Sequence, residues 1–207
     1  MSLYSIVLDV AGKLAVVVGG GPVGCRKAAR LAHAGARVRL VSRDLPLQQM
    51  GDVIVEEYRR SHLEGAALVF AAASPEVNRQ VVADAKALGI WVNSADDPCT
   101  GDFIVPAVVE RGDLTLAIST GGSSPAVARQ LRQLLENQFD DAWADWLKLQ
   151  RRLRDHLLNH EPAAAVRKHL FEQLADLSWV ERVRHEDGDS VWQAMMQVVK
   201  QHRGTIE

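Results

Sequence analysis

The first half of the chain alternates short apolar runs with amphipathic stretches, a pattern that predicts strands separated by helices. Residues 14–18 are five apolar residues in a row, which is typical of a central parallel strand covered on both faces. A stretch with helical spacing follows, and residues 37–41 then alternate polar and apolar. Further strands are expected at 53–58, 67–73 and 90–92. This order predicts an α/β fold with a doubly wound parallel sheet.

The second half of the chain has a different pattern. Residues 103–109 and 114–118 are extended stretches around a turn, and they predict a β-hairpin outside the main sheet. Ser124 is a typical N-cap residue, so a helix is expected to begin directly after it. From Asp140 onward, apolar residues at helical spacing predict a helical tail, with Ser190 as the cap of its last helix.

A glycine-rich turn directly follows the first predicted strand. Gly19, Gly21 and Gly24 match the G-x-G-x-x-G fingerprint of dinucleotide-binding proteins. The first glycine permits a tight turn, the second lets the backbone approach a pyrophosphate, and the third lets the helix pack closely on the strand. Pro22 and Val23 open that helix, whose N-terminal N–H groups point at the phosphates. The sequence therefore predicts a Rossmann-like fold that binds a dinucleotide; the alternative is a glycine turn that binds none.

The carboxyl ends of the other predicted strands contribute further candidate cofactor residues. Ser42, Arg43 and Asp44 follow the second strand, where this fold meets the adenosine ribose. A carboxylate there favours NAD and an arginine favours NADP, so Arg43 and Asp44 leave the choice open. The fourth strand ends in small residues, which suit the close approach of a ligand: Ala72, Ala73 and Ser74.

Composition narrows the class of protein. The 207 residues carry a net charge of −2, which gives no reason to expect nucleic acid or an acidic membrane as a partner. The chain has no apolar run long enough for a membrane helix and does not begin like a signal peptide. Cys25 and Cys99 form no metal-binding motif, and His156 and His160 are expected to be surface residues, so no metal site is predicted. These features favour a reducing, cytoplasmic environment.

Six segments keep a specific order and spacing: residues 17–28, 71–74, 77–78, 93–96, 103–106 and 119–129. Together they resemble the precorrin-2 dehydrogenase / sirohydrochlorin ferrochelatase family, the N-terminal module of siroheme synthase. The resemblance extends over residues 4–137, and its most specific segment is Ser-Thr-Gly-Gly-Ser-Ser-Pro-Ala-Val-Ala-Arg at 119–129. No methyltransferase domain follows, so the free-standing form of the enzyme is expected.

The resemblance implies a chain of three parts and a homodimer. Residues 1–105 would form an NAD-binding Rossmann domain, residues 106–139 a dimerisation segment, and residues 140–207 a small helical domain. The implied activity is NAD-dependent oxidation of precorrin-2 to sirohydrochlorin. In some members of the family the same protein also inserts ferrous iron to give siroheme, and the sequence does not separate these two possibilities.

Asp96 is the candidate catalytic residue, because it matches the aspartate of the family's Asn-x-x-Asp segment. A carboxylate at a strand end beside a dinucleotide could take a proton as a general base. Asp97 is the neighbouring rival for this role. The alternative for Asp96 is an Asx-turn before Pro98, which is a common loop feature.

A second glycine-rich turn is the candidate substrate-binding segment. Precorrin-2 carries eight carboxylates, which need cations and free N–H groups as partners. Arg129 and Arg132 could supply the cations, although a solvated helix face is an equally good interpretation. The turn itself contributes the remaining candidates: Thr120, Gly121, Gly122, Ser123 and Ser124.

Two functions of a different class are compatible with parts of this pattern. A nucleotide-binding regulator could sense NAD(H) through a degenerate site, but it would need neither Asp96 nor the turn at Gly121 and Gly122. A tetrapyrrole carrier could keep Arg129 but would not need the glycine turn after the first strand. The combination of all these features favours the dehydrogenase.

Overall fold

The computed structural model describes residues 3–48 and 50–204, and it describes the side chains of this range up to residue 202. The chain divides into two compact units, Met1–Val105 and Pro106–Glu207. The first unit contains five strands and two α-helices among its described residues. They are β1 (Leu14–Val18), α1 (Pro22–His33), β2 (Arg37–Ser42), β3 (Asp52–Val55), β4 (Leu68–Ala71), α2 (Pro75–Ala87) and β5 (Trp91–Ser94).

The five strands form one parallel sheet in the order β3-β2-β1-β4-β5. This is the strand order of a Rossmann-like half, and it confirms the predicted fold class. The order reverses between β1 and β4, so the crevice for a ligand lies at the carboxyl ends of these two strands.

The apolar run of β1 is explained by its central position. Val16 and Val18 pack with the buried face of α2, whereas Val17 packs on the other side of the sheet with Ala28 of α1 and Phe70 of β4. Residues 15–18 are at most 2% exposed. A strand buried on both faces needs no alternation of polar and apolar residues, and this is the pattern from which it was predicted.

Several strand ends differ from the sequence-based expectation. β4 was expected at 67–73 but ends at Ala71, so residues 72 and 73 lie in the loop after it. β3 ends at Val55, so residues 56–58 lie beyond the strand instead of inside it. β5 continues through Asn93 and Ser94, which the polar pattern had assigned to a loop. Both side chains are only 4% exposed, and hydrogen bonds to other parts of the first unit compensate for their burial.

The second unit begins with the predicted hairpin, in which β6 (Ala107–Arg111) and β7 (Leu114–Ile118) are antiparallel. β6 begins later than the expected extended stretch at 103–109 and continues through Arg111. The predicted cap of the next helix is confirmed, because Ser124 Oγ accepts a hydrogen bond from the Val127 N–H group at 3.3 Å. The helices are α3 (Pro125–Gln138), α4 (Ala142–His160), α5 (Ala164–Leu174), α6 (Ser178–His185) and α7 (Gly188–Gly204).

The helical tail has its own apolar core. Eleven buried residues from α4 to α7 form one cluster, which includes Trp146, Leu153 and Trp192. The cap predicted for the last helix is wrong, because α7 begins at Gly188 and the carboxylate of Asp187 accepts hydrogen bonds from Ser190. Within the described part of the chain, no helix is both long and apolar enough to cross a membrane.

Candidate active site

A cleft of about 550 Å³ lies at the carboxyl edge of the sheet in the first unit. Its volume is in the range of small-molecule and cofactor sites. The glycine turn after β1, the ends of β2 and β4 and the start of α2 line it. The lining residues are Val18, Gly19, Gly20, Gly21, Val41, Ser42, Arg43, Asp44, Glu56, Glu57, Tyr58, Ala72, Ala73, Ser74, Val77 and Gln80.

The three fingerprint glycines have the environments that a dinucleotide turn requires. Gly19 has φ +121°, and a Cβ atom there would lie 2.2 Å from the carbonyl oxygen of Ala72. A Cβ atom on Gly24 would lie 1.8 Å from the carbonyl oxygen of Gly19, so α1 packs directly on the turn. At Gly21, in contrast, a Cβ atom would meet no described atom within 4 Å. This open space in front of the α1 N-terminus fits a pyrophosphate.

The end of β2 brings the two competing ribose residues together. Arg43 Nε and Asp44 Oδ2 lie 3.4 Å apart, and both side chains are largely exposed. An exposed pair of this kind has little net stability, so either partner can turn to a ligand. Ser42 packs behind the turn, where its Oγ would lie 2.4 Å from a Cβ atom on Gly20.

Beyond the β1 and β2 strands and the glycine turn, the cleft is lined by residues that were not among the sequence-based candidates: Glu56, Glu57, Tyr58, Val77 and Gln80. Glu56, Glu57 and Tyr58 directly follow β3. A prediction that β3 ends at Val55 would have placed them at the carboxyl edge of the sheet, where ligands bind. Tyr58 OH donates a hydrogen bond to Asp84 Oδ2 at 3.0 Å. Burial, followed by this hydrogen bond, raises the pKa of Tyr58, so its ring is a neutral, fixed wall of the cleft.

A buried histidine holds Glu56 in place. His62 is 7% exposed, and its Nε2 lies 2.7 Å from Glu56 Oε1. Its Nδ1 accepts the Arg59 backbone N–H at 3.1 Å, so the proton of a neutral ring is on Nε2 and is donated to Glu56. The cleft therefore presents a positioned carboxylate beside the end of β2.

The loop after β4 is fixed by a side chain of α2. Asn78 Oδ1 accepts the N–H of Ala73 at 2.8 Å, and Asn78 Nδ2 lies 3.2 Å from the carbonyl oxygen of Ala73. The backbone N–H and C=O of Ala73 therefore both have a partner. The buried side-chain amide of Asn78 thus holds the cleft wall formed by Ala72, Ala73 and Ser74.

The candidate base, Asp96, is anchored next to this wall. Its Oδ1 accepts hydrogen bonds from Asn78 Nδ2 and from Ser94 Oγ, both at 2.7 Å. Burial acts to raise the pKa of Asp96, but the hydrogen bonds from Ser94 and Asn78 outweigh it and hold the pKa below the usual aspartate range. The side chain is thus an oriented carboxylate that is ionised at neutral pH.

Asp97 has a different local role. Its Oδ1 accepts the backbone N–H of Cys99 at 3.1 Å, and its carbonyl oxygen accepts the hydroxyl of Thr100 at 2.8 Å. This is the Asx-turn that the sequence offered as an alternative for Asp96. The structure places that turn at Asp97.

Lys27 is a half-buried cation that sequence reasoning did not single out. Its Nζ donates a hydrogen bond to Asn93 Oδ1 at 2.8 Å and lies 5.2 Å from the centre of the Phe70 ring. Burial, with smaller effects of Arg26 and Arg30, lowers the pKa of Lys27 to about 8. Asn93 in turn donates to the carbonyl oxygen of Phe103, so this set of contacts ties α1 and β5 to the segment after Asp96.

The candidate substrate residues lie in the second unit. Gly121 and Gly122 both have positive φ, +61° and +86°. Thr120 Oγ1 and the Ser124 backbone N–H lie 3.2 Å apart, which closes the turn in front of α3, and Ser123 donates its N–H to the Thr120 carbonyl. A Cβ atom on either glycine would meet no described atom within 4 Å, so the outer side of the turn is open.

The two arginines of α3 have different surroundings. Arg132 forms an ion pair with Glu136 one helical turn further on. Arg129 is exposed. Of these two, Arg129 is therefore the better candidate for an external carboxylate.

The two histidines predicted to be surface residues lie one turn apart on α4, with ring centres 4.4 Å from each other. His160 is exposed, but His156 is half-buried, with its ring centre 5.9 Å from that of Trp192. Among residues 3–48 and 50–204, no group of three or more His, Cys, Asp or Glu side chains is arranged to hold a metal ion.

Two protein-family models match the chain in series. Residues 6–107 match a family described as putative NAD(P)-binding, and residues 111–138 match the central part of a sirohaem biosynthesis protein. The first match contains the whole parallel sheet, and the second contains the second glycine turn and α3.

Several proteins with a similar sequence are siroheme synthases. The chain is 36% identical over 191 residues to a siroheme synthase of Pseudomonas paraeruginosa, a match that includes 88% of this chain and 41% of the relative. It is 37% identical over 171 residues to that of Pseudomonas entomophila, with 79% of this chain and 37% of the relative matched. The chain thus spans about two fifths of the length of these relatives.

A solved structure has the same fold. The structure of SirC, a precorrin-2 dehydrogenase, superposes with a TM-score of 0.76 over 94% of this chain and 100% of the other, at 20% sequence identity. The two consecutive family matches and the siroheme synthase relatives show that the chain belongs to the siroheme synthase family, of whose members it spans only a part, and the SirC structure shows that it shares the fold of a precorrin-2 dehydrogenase.

Proposed function

We propose that this protein oxidises precorrin-2 to sirohydrochlorin, with NAD as the hydride acceptor. The observation that carries the proposal is the placement of an ionised carboxylate beside a dinucleotide cleft. One amide, that of Asn78, contacts both the cleft wall at Ala73 and the carboxylate of Asp96. The family matches and the SirC fold supply the substrate class.

The residues of the cleft fit the cofactor. The glycine turn and the N–H groups at the start of α1 would hold the pyrophosphate, and the Ala72–Ser74 wall would lie along the cofactor. Asp44 and Glu56 are candidates for the adenosine hydroxyl groups. When bound, NAD supplies the hydride acceptor, and the protein supplies position and electrostatics.

The proposed chemical role of Asp96 is to accept a proton. The conversion removes two hydrogens from the tetrapyrrole, one as a hydride to the cofactor and one as a proton to the enzyme. Because hydrogen bonds lower its pKa, Asp96 is deprotonated before the reaction and needs no activation. The hydrogen bonds to its Oδ1 fix the direction in which the carboxylate faces.

We propose that the second glycine turn binds carboxylates of the substrate. Its N–H groups and the exposed Arg129 have the chemistry for this role. Arg132 is not proposed as a partner of the substrate carboxylates, because it forms an ion pair with Glu136.

We further propose a homodimer that forms through α3. Val127, Leu131 and Leu134 are 41–60% exposed and follow one another at spacings of four and three, so they form an apolar stripe on the surface. A stripe of this kind is typical of an interface between chains. The cytoplasm is the proposed compartment, because an exposed thiol such as that of Cys99 stays reduced there.

An anaerobic assay with precorrin-2 and NAD tests the proposed function. Formation of NADH together with sirohydrochlorin supports it, and NADP is tested in parallel. Ferrous iron or cobalt is then added, since the same carboxylate could take protons from the macrocycle during metal insertion. A metal-dependent spectral change above the rate without enzyme would add chelatase activity. Absence of reduced cofactor with both nucleotides would favour a sensor or a carrier.

A further inference from the structure

Asn78 contacts two parts of the candidate active site with one side chain. Its Oδ1 accepts the N–H of Ala73 at 2.8 Å, and its Nδ2 lies 3.2 Å from the Ala73 carbonyl and 2.7 Å from Asp96 Oδ1. Ala73 belongs to the wall of the dinucleotide cleft, whereas Asp96 follows β5. The side chain of Asn78 therefore bridges the two strand ends from the first turn of α2.

Burial makes this bridge specific for an asparagine. Asn78 is 2% exposed, so each of its polar atoms needs a partner inside the protein. The position requires one acceptor for the Ala73 N–H and donors for the Ala73 carbonyl and for Asp96. An aspartate lacks the donors, an alanine lacks every polar group, and a glutamine places them one methylene further away.

We propose that Asn78 is a positioning residue, which sets the Asp96 carboxylate relative to the dinucleotide-binding loop. The consequence for the reaction rests on the proposed function of Asp96, but the positioning itself does not. Asn78 acts through Ala73 and Asp96 and has no chemical step of its own.

Ser94 offers a matched control. Its Oγ also donates to Asp96 Oδ1 at 2.7 Å, and the residue is 4% exposed, so its hydrogen bond resembles that of Asn78 in length and burial. It is not among the residues that line the cleft. Ser94→Ala therefore disturbs the carboxylate alone, whereas Asn78→Ala disturbs both the carboxylate and the cofactor loop.

The test uses the full chain and three variants: Asn78→Ala, Asn78→Asp and Ser94→Ala. Thermal unfolding first identifies variants that are folded. Calorimetric titration gives the dissociation constant of NAD, and carbon-13 NMR of the side-chain carboxyl groups gives the pKa of Asp96, with its signal assigned by its loss in Asp96→Asn. Neither measurement needs a substrate. Asn78→Asp keeps the volume and the acceptor for Ala73, so it tests the loss of the donors without leaving a cavity.

All three variants are expected to raise the pKa of Asp96. Asn78→Ala and Ser94→Ala each remove one donor from its carboxylate, and Asn78→Asp also adds a like charge beside it. Asn78→Ala is expected to weaken NAD binding about tenfold through the lost contacts with Ala73, while Ser94→Ala stays within about twofold of the wild type. With precorrin-2, kcat should fall in all three variants, with a smaller change in the KM for the tetrapyrrole.

The proposal is overturned if folded Asn78→Ala and Asn78→Asp proteins both leave the pKa of Asp96 unchanged. It is also overturned if Ser94→Ala weakens NAD binding as much as Asn78→Ala does, because the loss would then be a general structural effect. Failure of the proposed function has a different signature: the wild type would produce no NADH from precorrin-2, while the binding and titration results would stand.

Discussion

Asp96 and Asp97 are neighbours in the chain, but their carboxylates have different partners. Asp96 receives side-chain hydrogen bonds from Asn78 and Ser94, whereas Asp97 receives the backbone N–H of Cys99 inside its own turn. One carboxylate is thus oriented by α2 and β5, and the other closes a loop. This difference separates a candidate catalytic residue from a structural one.

Replacement of the two aspartates tests that assignment. Asp96→Ala should reduce kcat about a hundredfold or more, the effect of losing a general base, while NAD still binds. Asp97→Asn is the matched control and should retain most of the activity, because an asparagine side chain also forms an Asx-turn. Steady-state kinetics and calorimetric NAD titration measure both effects. A fully active Asp96→Ala protein would end the assignment.

Gly21 is predicted to be essential for the cofactor but not for the fold. Asp is a favoured N-cap residue, and a side chain at this position points into open space, so Gly21→Asp should unfold at the same temperature as the wild type. Its bulk and negative charge should weaken NAD binding about a hundredfold or more. An unchanged affinity in the titration would mean that the turn is only structural.

Gly24 should show the opposite behaviour. A Cβ atom there would lie 1.8 Å from the Gly19 carbonyl oxygen, so Gly24→Ala must push α1 away from the turn. We expect the free energy of unfolding to fall by about 1–3 kcal/mol or more, the effect of overpacking in a close contact. Urea unfolding of this variant beside Gly21→Ala measures the difference. Equal stability of the two variants would contradict the close packing.

Lys27 should give the first unit a stability that rises with pH. Its pKa is about 8 in the folded protein, against 10.5 for an ordinary lysine side chain, so between these values the unfolded chain binds more protons. The free energy of unfolding should therefore increase across this window relative to Lys27→Met, by about 1–2 kcal/mol after allowance for solvent screening. Below pH 8 both states are protonated, and the difference between the two proteins should be constant. A difference that stays constant up to pH 10 would contradict the burial of this cation.

The apolar stripe on α3 predicts the effect of charge on assembly. Leu134→Lys should convert the proposed dimer to a monomer at micromolar concentration, because a charge cannot be buried in an apolar interface without a partner. Leu177→Lys is the control, since Leu177 is similarly exposed, 63% against 60%, but lies outside the stripe. Analytical ultracentrifugation measures the mass of each protein. If the wild type is a monomer, or if both variants stay dimeric, α3 is not the interface.

Local patterns in the sequence were sufficient for the sheet and the glycine turn. The run at 14–18 and the spacing of Gly19, Gly21 and Gly24 depend only on neighbouring residues, and the structure places them as expected. The end of β5 was assigned incorrectly, because polar Asn93 looks like a loop residue until its partner Lys27, 66 positions earlier, is known.

The composition of the cleft depends on strand order, which local patterns do not specify. Glu56 and Tyr58 line it because β3 lies beside β2, and β3 ends earlier than its apolar pattern suggested. The bridge from Asn78 to Asp96 joins two strand ends that come together only in the folded sheet. Sequence resemblance named Asp96 as the candidate base, but only the structure shows what orients its carboxylate.

The most direct test of the central claim is NADH formation in one anaerobic experiment with three proteins. Wild type, Asp96→Ala and Gly21→Asp are each incubated with precorrin-2 and NAD, and NADH and sirohydrochlorin are quantified. The wild type should form the two products in equal amounts. Asp96→Ala should bind NAD but form no product, and Gly21→Asp should neither bind NAD nor form product. A wild-type protein that forms no reduced cofactor from either NAD or NADP would contradict the account.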